Sequence, residues 1–237
     1  MGLNEKSLQS ELFDVKEYVI TVPMNNNPIT RITLPHAEYD GVIDYPYILQ
    51  KQYVVGQKVS DYLGVPFTWP KRTQFDDLPK DVYGETIPEE STIKYSHSLK
   101  GSYWLQEITP GHETAHLQTR GLDKLLRMYS VYIVFDDQKL YFIPVPVGQM
   151  LVEGGTEVLL EKVHEPRGSY ESWYQLTSEI DQEFPVKNIF YTAQNYDITG
   201  IWQRLYSGPI EIIDNYVSDS LKESGLKEPF IVGRVDF

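Results

Sequence analysis

His112, Glu113 and His116 are the residues of this chain whose types and spacing could do chemistry. On a helix, two histidines four apart share a face and can both reach one Zn²⁺. The glutamate beside the first can then act as general base on a metal-activated water. The chemistry implied is zinc-dependent hydrolysis, with His112 and His116 as ligands and Glu113 as base. The third ligand stays open, because Asp136, Asp137, Glu153, Glu157 and His164 all follow at usable separations. On a strand the same residues could do none of this, since histidines four apart would lie about 13 Å from each other.

The run resembles the general zinc-peptidase consensus at Thr114, Ala115 and Leu117 and departs from it at Pro110 and Gln118. Thr119 stands where the extended form of that consensus has glycine. Other chemistry has less to stand on. The chain has no cysteine, so it has neither a disulfide nor a Cys-ligated metal. No glycine-flanked nucleophile elbow is present, and Gly154-Gly155 lacks the continuation of a phosphate loop. Asp137-Gln138-Lys139 imitates an acid-x-Lys nuclease element but reads as a solvated turn. His36, His97 and His164 read as surface residues.

Whether the histidines meet depends on the element that carries them. Thr109 as N-cap and Pro110 in the first turn predict a helix from Pro110 onward, continued by Leu122, Leu125 and Leu126. Such a helix puts His112 at its extreme start, with Gly111 and Gly121 weakening it. The competing expectation is a strand with Ala115 and Leu117 inward and Thr114, His116, Gln118 and Arg120 outward.

Around this stretch the pattern predicts an α+β chain that is predominantly antiparallel β-sheet, sandwich or barrel-like, with long Pro/Gly/Tyr-rich loops. Glu17–Val22 and Ile29–Leu34 read as a hairpin across Asn25–Pro28, preceded by a helical turn at Ser7–Phe13. Residues 35–70 read as loops with small strands at Tyr47–Leu49 and Tyr53–Val55 and a helical turn at Val59–Leu63. Residues 72–90 read as an exposed loop. Gly101–Ile108 alternates like a strand. Tyr129–Phe135 and Leu140–Val147 flank a polar turn as a hairpin, with Pro144 and Pro146 placing the second strand at an edge. Val152, Val158–Val163 and Asn188–Ala193 read as further strands.

The last third turns helical. Ser169–Ile180 has Ser169 as a cap, and Pro209–Ser224 is the clearest amphipathic helix, capped by Ser207 and stopped by Gly225. Phe230–Val232 returns to the sheet. The expected organisation is a single β-rich domain over residues 1–237, with an α-rich subdomain at 169–237.

Composition narrows the function classes. Thirty-four acids against 21 bases give a net charge of −13, which disfavours nucleic acid and anionic membrane as main partners. No run approaches the length of a membrane span, and the N-terminus lacks the pattern of a signal peptide, so a soluble protein, virion or cytoplasmic, is expected. Eighteen tyrosines and four tryptophans suit contact surfaces. The leading expectation is a non-enzymatic structural subunit of a larger protein assembly, for instance a phage virion component, oligomeric and without a cofactor. The alternative is the zinc hydrolase of His112, Glu113 and His116. A carbohydrate-binding β module comes last.

Overall fold

The computed structural model describes residues 17–24, 27–33, 45–100, 102–119, 121–168, 170–226 and 229–237. Residues 17–24, 27–33, 45, 46 and 103 are described by backbone alone. The chain divides into two compact units, one of Met1–Gln57 with Phe67–Leu117 and one of Lys58–Pro66 with Gln118–Phe237.

In the first unit, β1 (Glu17–Met24) and β2 (Asn27–Thr33) pair as an antiparallel hairpin with an irregular register between Ile20 and Pro23. The predicted hairpin is present, with a shorter connection than expected. The helical turn at Ser7–Phe13 lies outside the described residues. Helix α1 (Tyr45–Leu63) follows. Then come β3 (Arg72–Asp76), β4 (Gly84–Ile87) and β5 (Thr92–Ser96), in the order β3-β5-β4 with β3 parallel and β4 antiparallel to β5. Helix α2 (Tyr103–Gln118) carries the two histidines.

One apolar cluster joins these elements: Ile48 and Leu49 of α1, Ile93 and Tyr95 of β5, Leu99, and Leu105, Ile108 and Leu117 of α2. Two polar ties cross it. Gln52 Nε2 donates to the Tyr95 hydroxyl at 2.7 Å, linking α1 to β5. Lys51 Nζ pairs with Glu107 Oε1 at 2.6 Å, linking α1 to α2.

The second unit contains the hairpin of β6 (Ser130–Asp136) and β7 (Lys139–Val145), with β8 (Phe230–Asp236) on the other side of β6. Asp137 and Gln138 both take positive φ, +47° and +66°, the backbone a two-residue hairpin turn demands. Pro144 can sit in β7 because β7 is an edge strand. The helices are α3 (Leu122–Leu125), α4 (Val147–Lys162), α5 (Glu171–Glu183), α6 (Val186–Asn195), α7 (Ile198–Leu205) and α8 (Ile210–Glu223). Val217 and Leu221 of α8 cover Tyr132 and Val134 of β6.

The expectation of a predominantly antiparallel β-sheet, sandwich or barrel-like, is overturned: the molecule is a helix-rich α+β protein with small sheets. It is not a β-rich domain. Residues 45–63 form one helix rather than loops and short strands. Ile48, Gln52, Val55 and Val59 are buried at three- and four-residue steps despite Gly56 and the adjacent valines. Residues 147–162 are helix where strands were expected. This helix is buried on nearly every side, so no polar face marks its period.

Gly154 in α4 is a packing device and not a breaker: a Cβ there would lie 2.2 Å from the Trp173 carbonyl oxygen, so only glycine lets α5 come so close. Asn188–Ala193 is likewise part of a helix, α6. Residues 72–90 contain β3 and β4 instead of an open loop. The helices predicted at Ser169–Ile180 and Pro209–Ser224 correspond to α5 and α8. Pro209 rather than Ser207 stands at the N-cap of α8, and the Ser207 hydroxyl donates to the Arg204 carbonyl at 2.7 Å. Among the described residues no helix is long and apolar enough to cross a membrane.

Candidate functional site

Helix α2 starts seven residues before Pro110, and this decides the geometry of the site. Ser102 begins it: its hydroxyl accepts from the Leu105 amide at 3.3 Å and its carbonyl from the Gln106 amide at 3.1 Å, as an N-cap residue does. Leu105 and Ile108 then tie the first turns to the core, so helix continues through Pro110 although proline gives up one backbone hydrogen bond there. The expectation of a helix beginning at Pro110 is corrected by one turn and more, and the strand expected at Gly101–Ile108 is absent. His112 therefore lies in the body of the helix, one turn before His116.

The two imidazoles meet. His112 Nε2 and His116 Nε2 are 2.9 Å apart, with ring planes at 86° and centroids 4.5 Å from each other. Both residues are about 7% exposed. Two nitrogens each bound to a tetrahedral zinc would stand roughly 3.3 Å apart, so a few tenths of an ångström of adjustment would admit the ion. Two histidines one helical turn apart are the core of donor sets that zinc uses in catalytic sites, where a third protein ligand joins them and a fourth position is kept for water or substrate.

The third-ligand candidates Asp136, Asp137, Glu153, Glu157 and His164 all belong to the second unit. Asp136 ends β6 and Asp137 sits in the hairpin turn. Glu157 Oε2 accepts from the Gly168 amide, and His164 is exposed with a φ of +58°. His97 is half-buried beside Phe75, and His36 lies outside the described residues.

Glu113 projects toward β4, not toward the apolar cluster. Its Oε2 and its backbone carbonyl both lie 2.8 Å from the Thr86 hydroxyl, which can donate to either. Gly84 passes so close that a Cβ there would lie 2.5 Å from Glu113 Cγ and 2.6 Å from Oε1. Tyr95 of β5 is fully buried. Burial pushes its phenol well above the usual 10.0, with the hydrogen-bonded Gln52 and Thr114 side chains pulling the other way and the Glu113 charge adding to the rise.

Thr86, Gly84, Tyr95 and Gln52 were not singled out by sequence reasoning. A glycine opening a strand of four residues was the only signal, and it looked like loop composition.

Comparison of the chain with family models, with curated proteins and with solved structures finds no match. The functional reading rests on the geometry alone.

Proposed function

We propose that the protein is a zinc-dependent hydrolase, with His112 and His116 holding the ion and Glu113 acting as general base. The observation that carries the reading is the meeting of the two Nε2 atoms at 2.9 Å, with Glu113 adjoining the first histidine on the same helix. When bound, zinc would supply Lewis acidity and lower the pKa of a water in its open position. Glu113 would take a proton from that water as its oxygen attacks the substrate carbonyl carbon. It would then return the proton to the departing nitrogen as the C–N bond breaks. Thr86 holds the carboxylate from β4 and so sets its direction.

The substrate class that fits is an extended peptide. The order β3-β5-β4 leaves the far edge of β4 without a strand partner among the described residues, and the same strand contacts Glu113. A peptide adding to that edge would be held through its main chain beside the base.

The arrangement also admits a simpler account, an N–H···N hydrogen bond between imidazoles of opposite tautomer. Metal analysis separates the two. The reading expects one zinc per chain in protein purified without chelators, lost in His112→Ala and in His116→Ala. It expects Glu113→Gln to keep the metal while cleavage of an unstructured protein substrate stops. Failure of zinc to bind on titration, or binding indifferent to both ligand variants, would end the proposal. A second reading, an assembly subunit, is supported by the solvent-facing apolar side of the sheet β7-β6-β8.

A further inference from the structure

The sheet β7-β6-β8 has two faces, and both are apolar. Along β6, alternate residues Tyr132 and Val134 turn inward, where Val217 and Leu221 of α8 cover them together with Tyr141, Ile143 and Ile231. The opposite face carries Val131, Ile133 and Phe135 of β6 and Leu140, Phe142 and Pro144 of β7. The register sets Phe135 against Leu140, Ile133 against Phe142 and Val131 against Pro144. On the other side, β8 sets Phe230 against Phe135 and Val235 against Val131. The register shift between Ile133 and Val134 adds Val232 to the same region. None of these side chains is charged, in a chain with 34 acidic residues.

The outer face is open to solvent. Exposure runs from 42% at Phe135 to 66% at Phe142, with Leu140, Phe230, Val232 and Val235 between. Applied to side-chain areas of ~150–250 Å², these six leave roughly 600 Å² of contiguous apolar surface, the upper end of what a monomer normally shows. Partly exposed Val131 and Ile133 and exposed Pro144 extend it toward the ~800 Å² that each partner gives to a stable interface of ordinary size.

We propose that this face packs against the same face of a second copy of the chain, forming a two-fold dimer. The inference is independent of the hydrolase reading. The area approaches what a dimer needs from each partner. Charge points the same way: a chain of net charge −13 can approach its own copy closely only where its charges are absent, and the outer sheet face meets that condition. Two such faces stack as sheets do, about 10 Å apart with side chains interdigitating. A two-fold axis makes every contact twice from one self-complementary patch.

The test is sedimentation equilibrium of the full chain at about 50 µM, above the micromolar dissociation constant that weak interfaces of this size show. Twice the chain mass of 27.5 kDa is expected for the native sequence. Phe142→Asp and Phe230→Asp, each checked for native circular dichroism, should raise the dissociation constant at least ~100-fold. Tyr191→Asp, an exposed position on α6, should leave it unchanged. A native chain that sediments at 27.5 kDa overturns the proposal, whatever else covers the face. So does a dimer that survives both variants while folded.

Discussion

Gly84→Ala isolates the base from the metal. A Cβ at residue 84 would lie 2.5 Å from Glu113 Cγ, 2.6 Å from Oε1 and 2.7 Å from Cδ, whereas ordinary contact begins at 3.4 Å. Glu113 Cγ must therefore retreat by about 0.9 Å and the carboxylate oxygen by about 0.8 Å, the differences between 3.4 Å and approaches of 2.5 and 2.6 Å. What the new methyl group meets is the end of a flexible side chain and not backbone, so the fold can absorb it. Catalysis cannot absorb it as easily: a displacement of about 1 Å at a reacting group costs on the order of 10²-fold in rate. The retreat also strains the hydrogen bond from Thr86.

The expected outcome is a ~10²-fold fall in kcat for cleavage of a quenched fluorescent peptide, with zinc content and thermal midpoint near those of the native chain. Thr86→Val should shift kcat in the same direction by a smaller factor, since it removes one hydrogen bond without forcing the carboxylate to move. Equal turnover in Gly84→Ala and the native protein would refute the assignment of Glu113 as base. A loss of zinc in step with the loss of activity would refute it too, because Gly84 would then act through the ligands.

Three further outcomes follow from the packing. In Gly148→Ala, the new Cβ would lie 1.5 Å from the Leu125 backbone oxygen, so the contact between α4 and α3 must open; a loss of about 3 kcal/mol in urea unfolding is expected, and a change under about 0.5 kcal/mol would contradict the packing. Arg234→Ala removes the cation that pairs with Asp214 and with Asp236, the latter at 3.0 Å and nearly buried, so about 3 kcal/mol of stability should go, with Asp236→Asn in the same background restoring part of it. Tyr95 and Tyr132 both sit above the usual phenol value of 10.0, each mainly through burial, and Tyr132 also through Asp214. The unfolded chain therefore gives up these protons first. The contribution is fully present below about pH 10 and is lost as pH rises toward the folded-state values, by roughly 1.4 kcal/mol per unit for each group. Denaturant midpoints measured from about pH 9 to about pH 11 should fall, and a flat profile would exclude the effect.

Legibility in the sequence followed exposure to solvent. The hairpin of β6 and β7 was readable because one strand alternates and the polar turn between the strands is short, and α8 was readable because Ile210, Ile213, Val217 and Leu221 form a stripe against a polar face. Helix α4 was not readable, because water touches too little of it for a stripe to exist, and its valines and paired glycines imitate strand and turn. Strand β4 was missed for the opposite reason: Gly84-Glu85-Thr86-Ile87 is short and polar, and it is strand because β5 pairs with it.

The candidate site divides along the same line. The residues His112, Glu113 and His116 and their four-residue spacing are determined by the sequence itself, since any helix through them puts both imidazoles on one face. That a helix runs through them was decided by tertiary packing. Thr109-Pro110-Gly111 reads locally as a beginning, and only the burial of Leu105, Ile108 and Leu117 against α1 and β5 makes the preceding residues helical as well. The contact of Thr86 and Gly84 with Glu113 and the uncovered face of the second sheet likewise depend on which distant segments meet. Local pattern cannot encode such meetings, because the free energy that selects them comes from burying surfaces of residues far apart in the chain.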